Sequence, residues 1–166
     1  MVQVIATLGD DVSTDVIYPG RYMATVLPSE TPQYAFADDA ALNGRLRSKQ
    51  IAPGSVIVAG CNFGCGSSRE QACSCLKGYE LVVVARGFAR IFLQNAVNLG
   101  LNVVTAPELE ASEGDELEIT ADSVVNRTTG RSSSIVPLPK TRQAIIEAGG
   151  LIAYTRKRVL ETAGKG

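Results

Sequence analysis

SVIVAG (55–60), CNFGCGSSREQA (61–72) and ELVVVA (80–85) follow one another closely in the chain, and their succession decides the fold. The two outer runs are short, apolar and rich in β-branched side chains, the composition of strands buried on both faces. Between them a glycine-bearing turn leads into a segment in which Ala72, Cys75, Leu76 and Tyr79 recur at i, i+3, i+4 and i+7, one face of a helix over about 68–77. Strand, turn, helix, strand is the unit from which layered α/β domains are built.

The pattern extends in both directions. Phe88, Ile91, Phe92, Asn95, Ala96 and Leu99 share a face of a second helix, and LNVVTA (101–106) reads as the next strand. Weaker strand signals at 116–120 and 123–126 are close enough to pair as a hairpin, and a helical region from about Thr141 is interrupted by Gly149 and Gly150. Upstream, VQVIATLGDDVSTDVIYPGRYM (2–23) is a short strand running into a loop of Asp, Ser, Thr, Gly and Pro, residues that favour turns. A helix is expected over 36–46, with basic residues at its end. There is no internal repeat, so residues 1–166 are expected to form one layered α/β domain with a mixed sheet.

Bulk properties exclude several classes of partner. A chain of 166 residues with 45% hydrophobic and 20% charged residues can bury a core without metals or disulfides. A net charge of -1 gives no field for nucleic acid. No apolar run approaches the roughly 20 residues of a membrane helix, and MVQVIATLGDD (1–11) lacks the features of a signal peptide, so a cytoplasmic protein with no membrane partner is expected. Histidine is absent, which removes the commonest general base and the commonest imidazole ligand.

The chemistry is concentrated in 61–72. Gly64 and Gly66 permit a tight turn and a close approach of backbone to ligand. Ser67 or Ser68 is expected to cap the next helix, whose free first-turn N–H groups and dipole favour an anion. Arg69 adds a planar fork suited to a carboxylate. A serine hydroxyl is a poor base in water, but converging N–H donors and a guanidinium favour its charged form, so Ser67 can serve as base without histidine. The competing reading makes the serine only a cap and pairs Arg69 with a structural carboxylate, Glu70 or Asp15. Nucleotide binding fits poorly, because the segment matches neither GxxxxGK[ST] nor GxGxxG.

Cys61, Cys65, Cys73 and Cys75 invite a disulfide or a four-thiolate metal site. Their placement argues against a cluster: Cys61 falls at a strand end, Cys65 in the turn, and Cys73 and Cys75 lie about 200° apart around one helix. Buried, inert thiols and no metal in this chain are the expectation.

NFGCGSSRE (62–70), preceded by GDDVSTDVIYPGRY (9–22) and followed by ARGFARIFLQNAVNLGL (85–101), resembles the small subunits of the 3-isopropylmalate dehydratase family, members of the aconitase superfamily. The three blocks stand in the family's order and cover most of the chain, with the weakest likeness over 108–139. The resemblance implies a swivelling domain of β/β/α layering and a hydro-lyase subunit that works only with a large subunit carrying a 4Fe-4S cluster. It makes Ser67 the base that moves a proton beside the hydroxyl-bearing carbon and Arg69 the group that binds a carboxylate of a small dicarboxylate substrate. Ser68 is implied to assist Arg69, and Thr14 and Asp15 of the STD segment to lie at the substrate. The family's cluster-binding cysteines belong to the large subunit. One departure is Gln71, where relatives usually carry histidine.

The resemblance also assigns specificity to the loop after PGRY, here Tyr22, Met23, Ala24, Thr25 and Val26. Homoaconitate enzymes tend to place an arginine there. An apolar loop can pack a branched alkyl group but cannot neutralise a third carboxylate, whose unpaired burial costs several kcal/mol, roughly the penalty for an uncompensated polar group. Isopropylmalate is therefore the expected substrate, with dimethylmalate, citramalate or homoaconitate dehydration, or a non-catalytic dicarboxylate-binding module, as alternatives. Arg21, Arg45 and Arg47 are the nearby cations that bear on that choice.

Overall fold

The computed structural model describes residues 1–164. Seven strands form one mixed sheet in the order β4-β3-β2-β1-β5-β6-β7. Strands β1 (Val2–Thr7), β2 (Val56–Ala59), β3 (Val82–Ala85) and β4 (Asn102–Thr105) run parallel. Strands β5 (Glu116–Ile119), β6 (Ser123–Asn126) and β7 (Ser132–Ser134) continue from β1 in antiparallel pairing. The hairpin expected from the sequence is β5–β6.

Helices α3 (Glu70–Gly78) and α4 (Arg90–Leu99) make the crossovers of the parallel half. Ile57, Ala59, Val83 and Ala85 pack with Ala72, Leu76, Phe92 and Ala96 in one cluster; Val56, Val58 and Val84 belong to another, with Leu117 and Val124 of the antiparallel half. Period-2 alternation is therefore present in space but invisible in sequence, because both faces of these strands are buried. The antiparallel half curls back until Val136 donates its N–H to Thr105 O at 2.8 Å, bringing the chain after β7 to the edge strand β4. The result is the expected layering of antiparallel sheet, parallel sheet and helices.

The remaining helices are α1 (Thr14–Ile17), α2 (Ala40–Arg47), α5 (Lys140–Glu147) and α6 (Leu151–Ala163). The helix expected over 36–46 begins later, because Phe36 takes a positive φ of 51° and Asp39 caps by accepting from Leu42 N at 3.0 Å. The α5–α6 break falls at Gly149 and Gly150, as their sequence indicated. Among the described residues no helix is long and apolar enough to cross a membrane.

Candidate active site

The turn over 60–69 leaves the carboxyl end of β2 and is held from several sides by main-chain hydrogen bonds. Phe63 N donates to Gly87 O at 3.0 Å, Ala89 N to Phe63 O at 2.9 Å, Gly64 N to Val12 O at 2.7 Å and Thr14 N to Cys65 O at 2.8 Å. Beneath it Phe63 meets Phe88 and Phe92 edge-on, at centroid separations of 6.1 and 5.2 Å. Gly64 is required on two counts: its φ is +82°, and an added Cβ would lie 2.2 Å from Phe92 Cγ. A rigid platform thus carries the residues that follow.

Ser67 and Ser68 stand exposed on that platform. The expectation that either caps α3 is corrected: the capping position belongs to Arg69, in extended conformation and without a side-chain cap. Tertiary contacts account for the difference. Ser67 O accepts the Thr14 hydroxyl at 2.8 Å, and Ser68 Oγ accepts Asn95 Nδ2 of α4 at 3.3 Å. Among the described residues no acceptor faces the N–H groups of Ser67, Ser68 or Arg69, so three adjacent donors are left at the head of a helix, a setting that favours an anion.

Arg69 is largely covered, its side chain 13% exposed. Nη1 donates to Asp15 Oδ1 at 2.5 Å and to Tyr18 O at 3.1 Å. Asp15 Oδ1 also accepts from Gly20 N at 2.9 Å, and the Arg69 hydrogen bond, followed by that from Gly20, holds the Asp15 carboxyl below its usual range. The pairing of Arg69 with Asp15 is thus present, and the pair with Glu70 is not among the salt bridges formed. It consumes only part of the guanidinium: Nε is buried without a partner, and no hydrogen bond from Nη2 is formed among the described residues. A buried unpaired donor is costly, which marks this edge of Arg69 as the one with capacity for a carboxylate.

Thr14, expected at the substrate, is instead buried, with its hydroxyl spent on the Ser67 carbonyl. It braces the turn from below. Asp15 is exposed, but its engaged oxygen faces Arg69, so its contact is with the guanidinium.

The loop of Tyr22, Met23, Ala24, Thr25 and Val26 packs beside this pair. Gly20, at its start, lies against Arg69, and an added Cβ there would approach Nη2 to 3.3 Å. Tyr22 stacks on Tyr34 at 4.1 Å, while Met23 and Val26 turn apolar side chains outward, 43% and 65% exposed. Arg21 is tied to Asp38 at 2.6 Å and lies over the Tyr22 ring. Arg45 pairs with Glu113 at 2.5 Å, and Arg47 is exposed.

The thiols divide. Cys73 and Cys75 are fully buried, and burial pushes both well above the usual thiol range. Cys61 is exposed and Cys65 half-buried, which corrects the expectation that all four are buried. Among the described residues no group of three or more His, Cys, Asp or Glu side chains is placed to hold a metal. Sequence reasoning missed one support, Asn95; the other, Gln71, was singled out only as a departure from relatives. The first carried a signal, an amide inside an otherwise apolar helical stripe.

Residues 16–109, which include the strand-to-helix turn with Ser67, Ser68 and Arg69, match the family model of the aconitase C-terminal domain. The chain is 41% identical to the 3-isopropylmalate dehydratase small subunit of Thermodesulfovibrio yellowstonii, over 91% of this chain and 90% of that protein. It is 43% identical to the protein of the same name from Methanosarcina mazei, over 92% and 94%. With the isopropylmalate/citramalate isomerase small subunit of Methanocaldococcus jannaschii it shares 40% identity over 93% and 92%. The crystal structure of a 3-isopropylmalate dehydratase from that organism superposes with a TM-score of 0.86 at 38% identity, covering 99% of both chains. The chain belongs to the family of 3-isopropylmalate dehydratase small subunits.

Proposed function

We propose that this chain, a single swivelling domain, acts with an aconitase-like large subunit as a hydro-lyase that interconverts 2- and 3-isopropylmalate through dehydration and rehydration. The supporting observation is the exposed Ser67 on a braced turn, with three N–H groups lacking acceptors among the described residues and the unpartnered Nε of Arg69 two residues further along the chain. Ser67 Oγ takes the proton from the carbon next to the one bearing the hydroxyl, and the released C–H electron pair forms the carbon–carbon double bond as the hydroxyl leaves. Rehydration reverses the step, with Ser67 returning the proton. The N–H donors and the guanidinium lower the cost of an alkoxide at Ser67.

Arg69 binds a substrate carboxylate through Nη2 while Asp15 fixes Nη1, and Ser68 adds a hydroxyl to the same carboxylate. Holding the carboxylate in this way aligns the C–H bond with Ser67. A four-iron cluster on the large subunit supplies the Lewis acid for the departing hydroxyl. Ser67, Ser68 and Asp15 are exposed at the surface of this chain, which fits an active site completed by the partner. Met23 and Val26 suit a branched alkyl group, and the tie of Arg21 to Asp38 leaves that cation satisfied without a third carboxylate. The name of the Methanocaldococcus relative makes citramalate the second substrate to test.

The test is turnover by the purified chain combined with a cluster-bearing large subunit of this family. Ser67→Ala should lower kcat by about 10²–10⁴-fold, the usual worth of a positioned base, with assembly intact. Wild-type turnover by Ser67→Ala would remove the serine from the mechanism.

A further inference from the structure

Gln71 lies two residues beyond Arg69, in the first turn of α3, and its side chain reaches away from the catalytic turn toward the loop. Nε2 donates to Met23 O at 3.1 Å. Met23 closes the short 3-10 turn over Gly20–Tyr22, and its outward side chain forms part of the apolar wall. Only one other side chain holds the main chain of this wall among the described residues: the Tyr18 hydroxyl, placed 3.2 Å from Tyr22 O and 3.3 Å from Thr25 O. Tyr18 is fully buried and its own carbonyl accepts from Arg69. The wall is therefore tied from below by the tyrosine that touches Arg69, and from the side by the helix whose first residues follow Arg69.

We propose that Gln71 is a positioning residue for substrate selection, setting the distance between the guanidinium that binds a carboxylate and the apolar wall that meets the alkyl group. This rests on the proposed function of the loop and deepens it. Gln71 itself touches no substrate in this scheme: its amide is spent on a carbonyl, and its effect passes through Met23. With the tie removed, the 3-10 turn still has its own Met23 N to Gly20 O bond of 3.2 Å, so the loop persists but is held to the head of α3 only indirectly, through Tyr18 and the Asp15–Arg69 pair. The consequence falls on binding of the alkyl group and leaves Ser67 in place.

Gln71→Met keeps the length of the side chain and removes the donor, whereas Gln71→His keeps an N–H donor. In the reconstituted enzyme, Gln71→Met should raise KM for isopropylmalate roughly three- to tenfold, the factor expected from losing one neutral hydrogen bond, while largely keeping kcat. Discrimination between isopropylmalate and citramalate should shrink by a similar factor, because the methyl group of citramalate asks less of the wall. Gln71→His should recover most of both. Hydrogen exchange on the isolated chain gives a readout without activity: amides of 22–26 should exchange faster in Gln71→Met, and those of 61–69 unchanged.

An unchanged KM and discrimination ratio in an active Gln71→Met enzyme overturns this inference alone. So does an equal loss of kcat on both substrates, or an unchanged exchange rate over 22–26. A wild-type enzyme that turns over neither substrate overturns the proposed function, and this inference with it.

Discussion

Replacing Gly64 with alanine tests whether the platform under Ser67 is as tightly packed as its geometry indicates. Two costs are separable. The backbone at φ +82° is the left-handed region, worth roughly 1–2 kcal/mol against an L side chain. The new methyl would sit 2.2 Å from Phe92 Cγ and 2.4 Å from Phe92 Cβ and Cδ2, whereas carbon atoms rest about 3.5–4.0 Å apart. Phe92 is buried between Phe63 and Phe88 and cannot swing away, so the overpacking adds about 1–3 kcal/mol. The expected loss is about 2–5 kcal/mol, a large part of the 5–15 kcal/mol typical of a domain. Gly114→Ala is the matched control, because φ there is +91° but nothing lies within 4 Å of the added methyl. Urea unfolding of both variants, followed by two probes with m held constant, isolates the clash as the difference between them. The retained folded fraction of Gly64→Ala should also lose about 100-fold in turnover, since Ser67 is three residues away and a displacement near 1 Å suffices. Equal destabilisation in the two variants, or full activity in Gly64→Ala, would refute the argument.

Two further outcomes follow from charge and burial. In the native chain a thiol reagent should modify Cys61 first and reach Cys73 and Cys75 only on unfolding, as counted by mass spectrometry with and without urea; ready labelling of Cys73 in native protein would contradict its burial. Because the folded Asp15 carboxyl is held below its unfolded value near 3.9, the contribution of its pair with Arg69 is fully present above that value and is lost as pH falls through the folded value. Carboxyl NMR should therefore show an Asp15 midpoint that rises toward about 3.9 in Arg69→Met, and an unmoved midpoint would sever the pair.

The parallel half of the fold was legible because SVIVAG, ELVVVA and LNVVTA are apolar runs with turn residues between them. Strand β7 was not, since Ser132, Ser133 and Ser134 carry no apolar signal, and only the pairing of β6 makes them a strand. Nor was the curl of the sheet, which depends on contact between Thr105 and Val136 across a long sequence separation. At the site, Ser67, Ser68 and Arg69 announced themselves by type and order. The true start of α3 did not, because local capping preference lost to Thr14 on one side and Asn95 on the other. Thr14 read as a ligand contact for the same reason: a polar residue in a polar loop gives no sign that its hydroxyl faces inward.

The division between what is fixed and what is open in this chain has a chemical logic. The turn is tied to several separate parts of the chain: Ser67 O to the Thr14 hydroxyl, Gly64 N to Val12 O, Phe63 N to Gly87 O, Arg69 Nη1 to Tyr18 O. The Ser67 and Ser68 side chains, the N–H groups of 67–69 and Nη2 of Arg69 are left without main-chain ties among the described residues. In the proposed reaction a base withdraws a proton at one carbon while a Lewis acid draws a hydroxyl from its neighbour, so both groups must be placed on the substrate at once. In that proposal the base stands on a prebuilt platform in this chain and the acid on the partner, and what the scheme asks of this chain is rigidity, which the ties of the turn to Val12, Thr14, Tyr18 and Gly87 provide.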